Sequence, residues 1–462
     1  MEIYDIVVVG GGISGLSLCW NLLQRDPKLK LLLVDKGTRP GGCVRTMERS
    51  GYRVELGPNG VVDRAPDTLD LIRGLGLESE LVKADDSARK RYLYMKGELR
   101  PLPDAPAQIF KTETLTLGGR LRLLCEPFIP RARKGREESI AEFAKRRFGR
   151  QVADNFLDPF VGGVYAGDPA KISVQAAFPR IYEWEAKYGS VLRGAAKQKK
   201  AKQQVGGDTD SIGGLWSLNG GMGVLTKKLC DVLGPDRVIQ GAAVKELEPF
   251  GPGWRLHLGG KNSALLTRQV VLSTPAHVSG DLLSFHCSAA GDILKDWPYA
   301  GIVVVALGFK RSQVSHPLDG FGYLVPFKEE RPILGCLFSS SIYPKGRSPD
   351  EHVLLRVMMG GARSSSLVDL DADSLMHIAE EEIRAVLGIS GAATLRRAIR
   401  WANALPQYTL GHKQRLEQLE QLVRDFCPGI SLHSNAFHGV AVNDCTRSSK
   451  ALADKLLARS RH

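Results

Sequence analysis

The 462-residue sequence predicts an α/β fold in three parts: a Rossmann-like dinucleotide-binding domain assembled from discontinuous segments, an α+β substrate domain with a mostly antiparallel sheet, and a helical insertion. Three observations predict it. A glycine-rich turn, Gly10-x-Gly12-x-x-Gly15, joins an apolar strand to an amphipathic helix at the start of the chain. Strand signals then nearly vanish between about 105 and 204. Beyond residue 300, four strand-like stretches follow one another with no long helix between them.

The opening unit is the most informative. Ile6–Val9 is a continuous apolar run, as a buried parallel strand requires. In the turn, Gly10 permits the sharp reversal, Gly12 lets a pyrophosphate approach backbone N–H groups, and Gly15 permits close helix packing. Gly11, Ile13 and Ser14 complete the loop, and the helix N-terminus favours phosphate charge. A second apolar strand, Leu31–Val34, ends at Asp35, an acid placed to bond the ribose hydroxyls. A glycine pattern alone is weak evidence. The agreement of strand, helix, second strand and acid selects a dinucleotide site over a structural turn.

Residues 61–84 read as a short helix and loop, and "ARKRYLYMKGELRPLP" (88–103) as a hairpin turning at Lys96-Gly97. "GGDTDSIGG" (206–214) is a polar loop, and Gly220, Gly221 and Gly223 open a helix. "RVIQGAAVKELEPFGPGWRLHL" reads as strands around a Gly-Pro-Gly turn, and "QVVLSTPAHV" as a strand ending at Thr274 and Pro275. "GIVVVALGFK", "GFGYLVPF", "PILGCLFSSSIY" and "HVLLRVMMGG" are the four strands. "DADSLMHIAEEEIRAVLG" is an amphipathic helix, and "LHSNAFHGVAVNDCTRSSKALADKLL" reads as strand, glycine turn and helix. The expected domains are 1–83 with 215–285 and 405–462 for the dinucleotide, 85–104 with 286–404 for the substrate, and 105–214 for the insertion.

Composition adds exclusions. The net charge is +13, which points to an anionic partner. The eight cysteines form no Cys-x-x-Cys pair and no zinc or disulfide spacing, so reduced thiols in a cytoplasmic setting are expected. The first strand leaves no room for a leader, and no apolar run approaches the roughly 20 residues of a spanning helix. No metal motif, serine-nucleophile elbow or redox cysteine pair is present. His412, His433 and His438 are read as structural hydrogen-bonders before catalysts. A dinucleotide redox site without an acid–base dyad suits a substrate that gives up hydride readily and needs mainly to be positioned.

After Asp35, "KGTRPGGCVRT" resembles the Arg-x-Gly-Gly extension of FAD-containing amine oxidases, and "ELGPNG" resembles their flavin-adjacent segment. Taken alone, Arg39 and Arg45 would be solvated loop charges. Across nearly the whole chain, "VVVGGGISGL", "GYRVELGPNGVVDRAP", "FVGGVYAGDPAKIS", "GGMGVL", "GFGYLVPFKEE", "RWANALPQY" and "GVAVNDC" resemble the oxygen-dependent protoporphyrinogen oxidase family. The resemblance implies FAD as cofactor, a porphyrinogen as substrate and molecular oxygen as final acceptor. It implies that Gly10, Gly11, Gly12, Ile13, Ser14 and Gly15 hold the pyrophosphate and Asp35 the ribose. Lys36, Arg39, Gly42 and Thr274 would line the cofactor, and Val244 would meet the adenine through its backbone. Gly57, Pro58, Asn59 and Gly60 would run beside the isoalloxazine, with Val440, Ala441, Val442 and Trp401 near the ring.

For substrate, Arg91 matches the arginine that pairs a propionate, and a guanidinium suits a carboxylate bidentately. On the bare sequence the alternative is a solvated hairpin residue between Lys90 and Tyr92. Leu324, Leu337 and Met358 match positions bracketing the tetrapyrrole; from pattern alone they are core. Asn59 either orients the reacting carbon and relays protons or is a turn residue. Gly162, Gly163 and Gly167 would let backbone approach a flat macrocycle. The chain departs from the family at Asp35, where Glu is common, at Ser434, whose side chain would crowd a turn, and at Met358.

Basic clusters at 131–136, 145–150 and 197–202 show no nucleic-acid signature. They are solvated helix faces or, as the resemblance implies, a peripheral membrane contact in which Leu121, Leu123, Leu124 and Phe128 enter the interface. A homodimer and hand-over to a ferrochelatase complete the implied partners. The competing activities are coproporphyrinogen III oxidation by the same chemistry, another flavin amine oxidase or desaturase, and a scaffold retaining the fold.

Overall fold

A computed structural model describes residues 2–63, 65–103, 112–133, 135–204, 214–259 and 264–460. Most of the expected 206–214 loop, and Lys134 of the first basic cluster, lie outside them.

The first sheet is assembled from distant stretches. Ile3–Val9 pairs in parallel with Leu31–Val34 on one side and with Ala264–Leu272 on the other. Val238–Ile239 extends one flank in parallel, and Ile430–Leu432 pairs in parallel with Ala264–Leu272. Gly253–Leu258 and Val244–Phe250 add an antiparallel edge. The continuous apolar run of the first strand follows from burial on both faces. Ile6 and Val8 enter a core with the helices Ile13–Arg25 and Val442–Ser460, while Val7 and Val9 enter the opposite core. The helix Ser288–Lys295 and Trp297 also pack in that opposite core, beyond the 285 boundary expected for this part.

The second sheet has seven strands in the order Leu395–Pro406, Tyr299–Lys310, His352–Gly360, Ile333–Phe338, Gly322–Leu324, Arg91–Met95 and Glu98–Pro101. Only the Gly322–Leu324 and Arg91–Met95 pair is parallel. The hairpin turn has φ of 52° at Lys96 and 88° at Gly97, the two positive values that a tight two-residue turn needs. One face buries Val303, Val305, Leu307, Val357 and Met359 against Leu375, Ala379 and Ile383 of the helix Ala372–Leu387. Period-two alternation turns the other face away from that helix, where Ala306 and Leu354 pack on Tyr52 and Val54, and Ile302 and Val304 on Ala166.

The insertion is helical, as expected. Its helix Ile140–Phe148 starts with a capping box between Ser139 and Glu142. The same helix corrects the reading of the 145–150 cluster. Arg147 is fully buried, paired with the equally buried Glu126, and donates to the carbonyl oxygens of Ile129 at 2.7 Å and Gly189 at 3.0 Å. Arg146 bridges Glu138 at 2.5 Å and Glu185 at 2.8 Å. These two charges hold the insertion together and are not free to meet an anionic surface. The apolar expectation fares differently: Leu121, Leu124 and Phe128 are exposed, Leu123 is half-buried, Leu117 is exposed as well, and the helix Leu117–Leu124 fully buries none of its side chains. Among the described residues, no helix is long and apolar enough to cross a membrane.

The segment Phe160–Ser173 is less loop-like than its glycines suggest. Residues through Tyr165 finish the helix Asp158–Tyr165, which stops at Ala166 in a left-handed conformation (φ 48°). A Cβ on Gly163 would lie 2.6 Å from Leu324 Cδ2, and one on Gly167 would lie 2.3 Å from Ile172 Cδ1 and 2.6 Å from Gln407 Oε1. These glycines therefore admit neighbouring side chains of the protein itself. The segment is tied to the chain around 408: Gln407 Nε2 donates to Tyr165 O at 2.9 Å, and Ser173 N donates to Tyr408 O at 2.8 Å.

Candidate active site

The crevice at the strand ends of the first sheet is shaped by steric limits. Gly10 has φ 108°, and a Cβ there would sit 2.7 Å from Ser273 O; one at Gly15 would sit 2.1 Å from Gly10 O. A Cβ at Gly12 would meet nothing within 4 Å, so its backbone opens on free space. Asp35 first serves the protein. Its Oδ2 accepts from Gly11 N–H at 2.6 Å and its Oδ1 from Gly37 N–H at 2.7 Å. Each oxygen keeps lone-pair capacity for a ribose. The backbone bonds Ala242 N to Asp35 O and Gly241 N to Gly37 O draw the approach to Val244 alongside.

Lys36 and Arg39 are exposed on the following loop, and Arg39 O accepts from Arg45 at 2.9 Å. A bond from Gly41 N to Gly11 O, 2.7 Å long, lays Gly42 against Gly12. Thr274 stands just past the strand Ala264–Leu272, its hydroxyl 2.7 Å from Ser279 Oγ. Val440 and Ala441 precede the helix that begins at Val442. Two donors in these loops, Arg45 Nε and Asn59 Nδ2, are buried with no acceptor in the protein. An unmet buried donor costs about 1–3 kcal/mol. The open Gly12 backbone, the acid and the unmet donors fit a dinucleotide rich in acceptors.

The second sheet meets this crevice through the segment Leu56–Gly60. Trp401 Nε1 donates to Leu56 O at 2.8 Å, and Arg356 donates to Gly57 O at 2.8 Å and Asn59 Oδ1 at 3.4 Å. Strand register then aligns two rows on the sheet face turned away from the helix Ala372–Leu387. One row runs Arg91, Gly322, Leu337, Arg356, Ala306 and Arg397. Its neighbour runs Leu93, Leu324, Gly335, Met358, Val304 and Ile399. Arg91, Leu324, Leu337 and Met358 thus share one surface with the residues that grip Asn59. The Arg91 guanidinium lies 5.4 Å from the centre of the Phe321 ring.

Arg356 was missed because a single basic residue inside an apolar strand carries no motif. Burial pulls its guanidinium down to about 10, which leaves it charged at neutral pH. Glu55 was missed too. It is buried, pairs with Arg347 at 2.5 Å, and accepts from Met222 N at 2.9 Å and Thr46 Oγ1 at 2.8 Å. Two of the three histidines are buried in the packing. Burial lowers both His412 and His433 to about 4; His412 stacks on Tyr408, and His433 sits 2.9 Å from Ser449 Oγ. Ser434 does not crowd its turn: its hydroxyl folds back to accept from Ala436 N at 3.3 Å.

The model of flavin-containing amine oxidoreductases matches residues 13–457. The chain belongs to that family. Its flavin is FAD, and it is an oxidoreductase. Among similar proteins is a protoporphyrinogen oxidase of Bos taurus, 31% identical over 98% of both chains. A coproporphyrinogen III oxidase of Bacillus subtilis is 28% identical over 98% of this chain and 97% of its own length. The fold matches the crystal structure of a candidate protoporphyrinogen oxidase from Exiguobacterium sp. 255-15, with TM-score 0.84, 24% identity and 99% of each chain covered. A putrescine oxidase bound to putrescine matches with TM-score 0.71 at 15% identity.

Proposed function

We propose that this flavin-containing oxidoreductase converts protoporphyrinogen IX to protoporphyrin IX, removing six electrons in three two-electron steps and passing them to three molecules of oxygen as peroxide. One observation carries the reading: a sheet face that sets Arg91 in register with Leu337, beside Leu324 and Met358, and that reaches the Asn59 segment through Arg356. A flat apolar macrocycle with carboxylate arms has this chemistry. The chain's own part is to position and to exclude water. Arg91 pairs a propionate, the apolar row covers the ring, and Gly10–Gly15, Asp35 and Val440–Val442 hold the cofactor. When bound, FAD supplies a hydride acceptor that oxygen regenerates. Aerobic incubation with the porphyrinogen, following porphyrin fluorescence and peroxide at three per porphyrin, tests this; no acceleration would overturn it.

A second reading, coproporphyrinogen III as substrate, is favoured by the Bacillus subtilis relative. Side-by-side assay of the two porphyrinogens separates them. We further propose that the exposed stripe Leu117, Leu121, Leu124 and Phe128 rests on an anionic membrane surface, and that the chain divides into a cofactor unit, a substrate unit and the helical insertion. Co-flotation with anionic vesicles supports the first; limited proteolysis mapping the junctions supports the second.

A further inference from the structure

Arg356 is 3% exposed and has no carboxylate partner among the described residues. Its nearest acid, Glu55, is already committed to Arg347. A buried cation with no carboxylate of its own in ion-pair contact is costly, so the groups it bonds are informative. What it touches is the Asn59 side chain and the Gly57 carbonyl.

The chemistry of the two side chains fixes an orientation. A guanidinium only donates. It therefore selects the carbonyl end of the Asn59 amide, and the NH₂ end must point away. That end, Asn59 Nδ2, is buried and meets no acceptor in the protein. Its acceptor has to come from what binds there. A porphyrinogen carries hydrogen on all four ring nitrogens, which are donors; its carboxylates sit on arms at the periphery, and on the reading above Arg91 takes one of them. The flavin ring, in contrast, presents carbonyl oxygens and unprotonated nitrogens.

We propose that Arg356 is a positioning residue that locks the Asn59 amide with its NH₂ end toward an acceptor on the flavin ring, while its buried positive charge favours the reduced, more anionic flavin. It acts through Asn59 and the 57–60 backbone, behind the reacting atoms. The substrate reading enters only in naming which acceptor remains; the potential of the bound flavin is measured with no substrate present, so failure of that reading leaves this test standing.

The experiment compares Arg356→Met, Arg356→Lys, Asn59→Ala and the double variant Arg356→Met with Asn59→Ala as holoenzymes. Arg356→Met should retain stoichiometric FAD, shift the flavin midpoint potential to more negative values and slow flavin reduction by about tenfold or more, with KM nearly unchanged. Lysine, which keeps the charge and donates only, should restore most of both. Combined with Asn59→Ala, Arg356→Met should add less to the slowing of flavin reduction than it costs alone, because the two act as one unit. An unmoved potential in Arg356→Met, or fully additive rate losses, would overturn the proposal. Should Arg356→Met not fold, Asn59→Asp decides. It keeps an acceptor for Arg356 and deletes the donor, so it must slow flavin reduction as Asn59→Ala does; a wild-type rate and potential would refute the assignment.

Discussion

The two sheets place their working residues differently. The parallel sheet works at its strand ends, where Gly10, Gly12, Asp35 and Thr274 sit in turns just past the last paired residues. The antiparallel sheet works on its face, where Arg91 comes from a strand far in sequence from those of Leu337, Arg356 and Met358 and meets them only through register. An end site constrains backbone, so it needs glycines and fixed spacing. A face site constrains alternate side chains, so it leaves only a periodicity that any half-buried strand shares. The lesson is that substitutions at strand ends should strike cofactor binding, and substitutions on the face should strike turnover with the cofactor in place.

The sharpest way to break this contrast is Gly15→Val. Its Cβ would fall 2.1 Å from Gly10 O, and FAD affinity should drop by about hundredfold or more, read by flavin fluorescence titration. Buried charge gives the next largest effect, outside both sheets. Arg147→Met leaves Glu126 uncompensated and should cost about 3–5 kcal/mol of stability, measured by thermal or urea unfolding. The pH dependence follows from Glu126. Burial raises its pKa, but bonds from Ser190, Val191 N–H and Arg147 outweigh that and hold it below the ordinary carboxylate value of 4.5. This stabilisation is present above that value and is lost as pH falls through the lower folded value. Acid unfolding of the insertion should lose that component in Glu126→Gln.

On the face, Arg91→Ala should raise the porphyrinogen KM by about tenfold while FAD stays bound; loss of flavin instead would erase the distinction between end and face. Leu121→Glu with Phe128→Glu should lower vesicle co-flotation by about tenfold and leave turnover in detergent unchanged. The smallest effect is expected at Ser434→Gly, where FAD affinity should move by less than about twofold, since the hydroxyl already folds into its own turn.

How legible each part was follows from the same contrast. The glycine turn, Asp35 and the hairpin at Lys96-Gly97 were readable because local backbone geometry dictates residue type there. The helical insertion was readable from period and from missing strand signals. Arg91, Leu324, Leu337 and Met358 could be singled out only by resemblance, because each also reads as ordinary surface or core. Arg356 was invisible, and Glu55, though it opens the quoted "ELGPNG", was given no role: a lone buried charge has no pattern until its partners are brought to it across about 300 residues of chain. The 145–150 cluster misled for the opposite reason. Charge density is visible in sequence, but the acids that absorb it, Glu126, Glu138 and Glu185, are scattered.

The way the first sheet is stitched together bears on how the chain is made. Its first helix, Ile13–Arg25, is held by the last one: Ser17 Oγ lies 2.7 Å from Ser449 Oγ, and Arg25 bonds Asp454 at 2.6 Å. A ribosome must therefore release the chain as far as Asp454 before the helix Ile13–Arg25 can close. Until then the flavin crevice has two walls waiting for a third, and such a long-range closure is slow and exposed. Cofactor loading then waits on contacts, such as Ser17 to Ser449, that span 432 residues of chain.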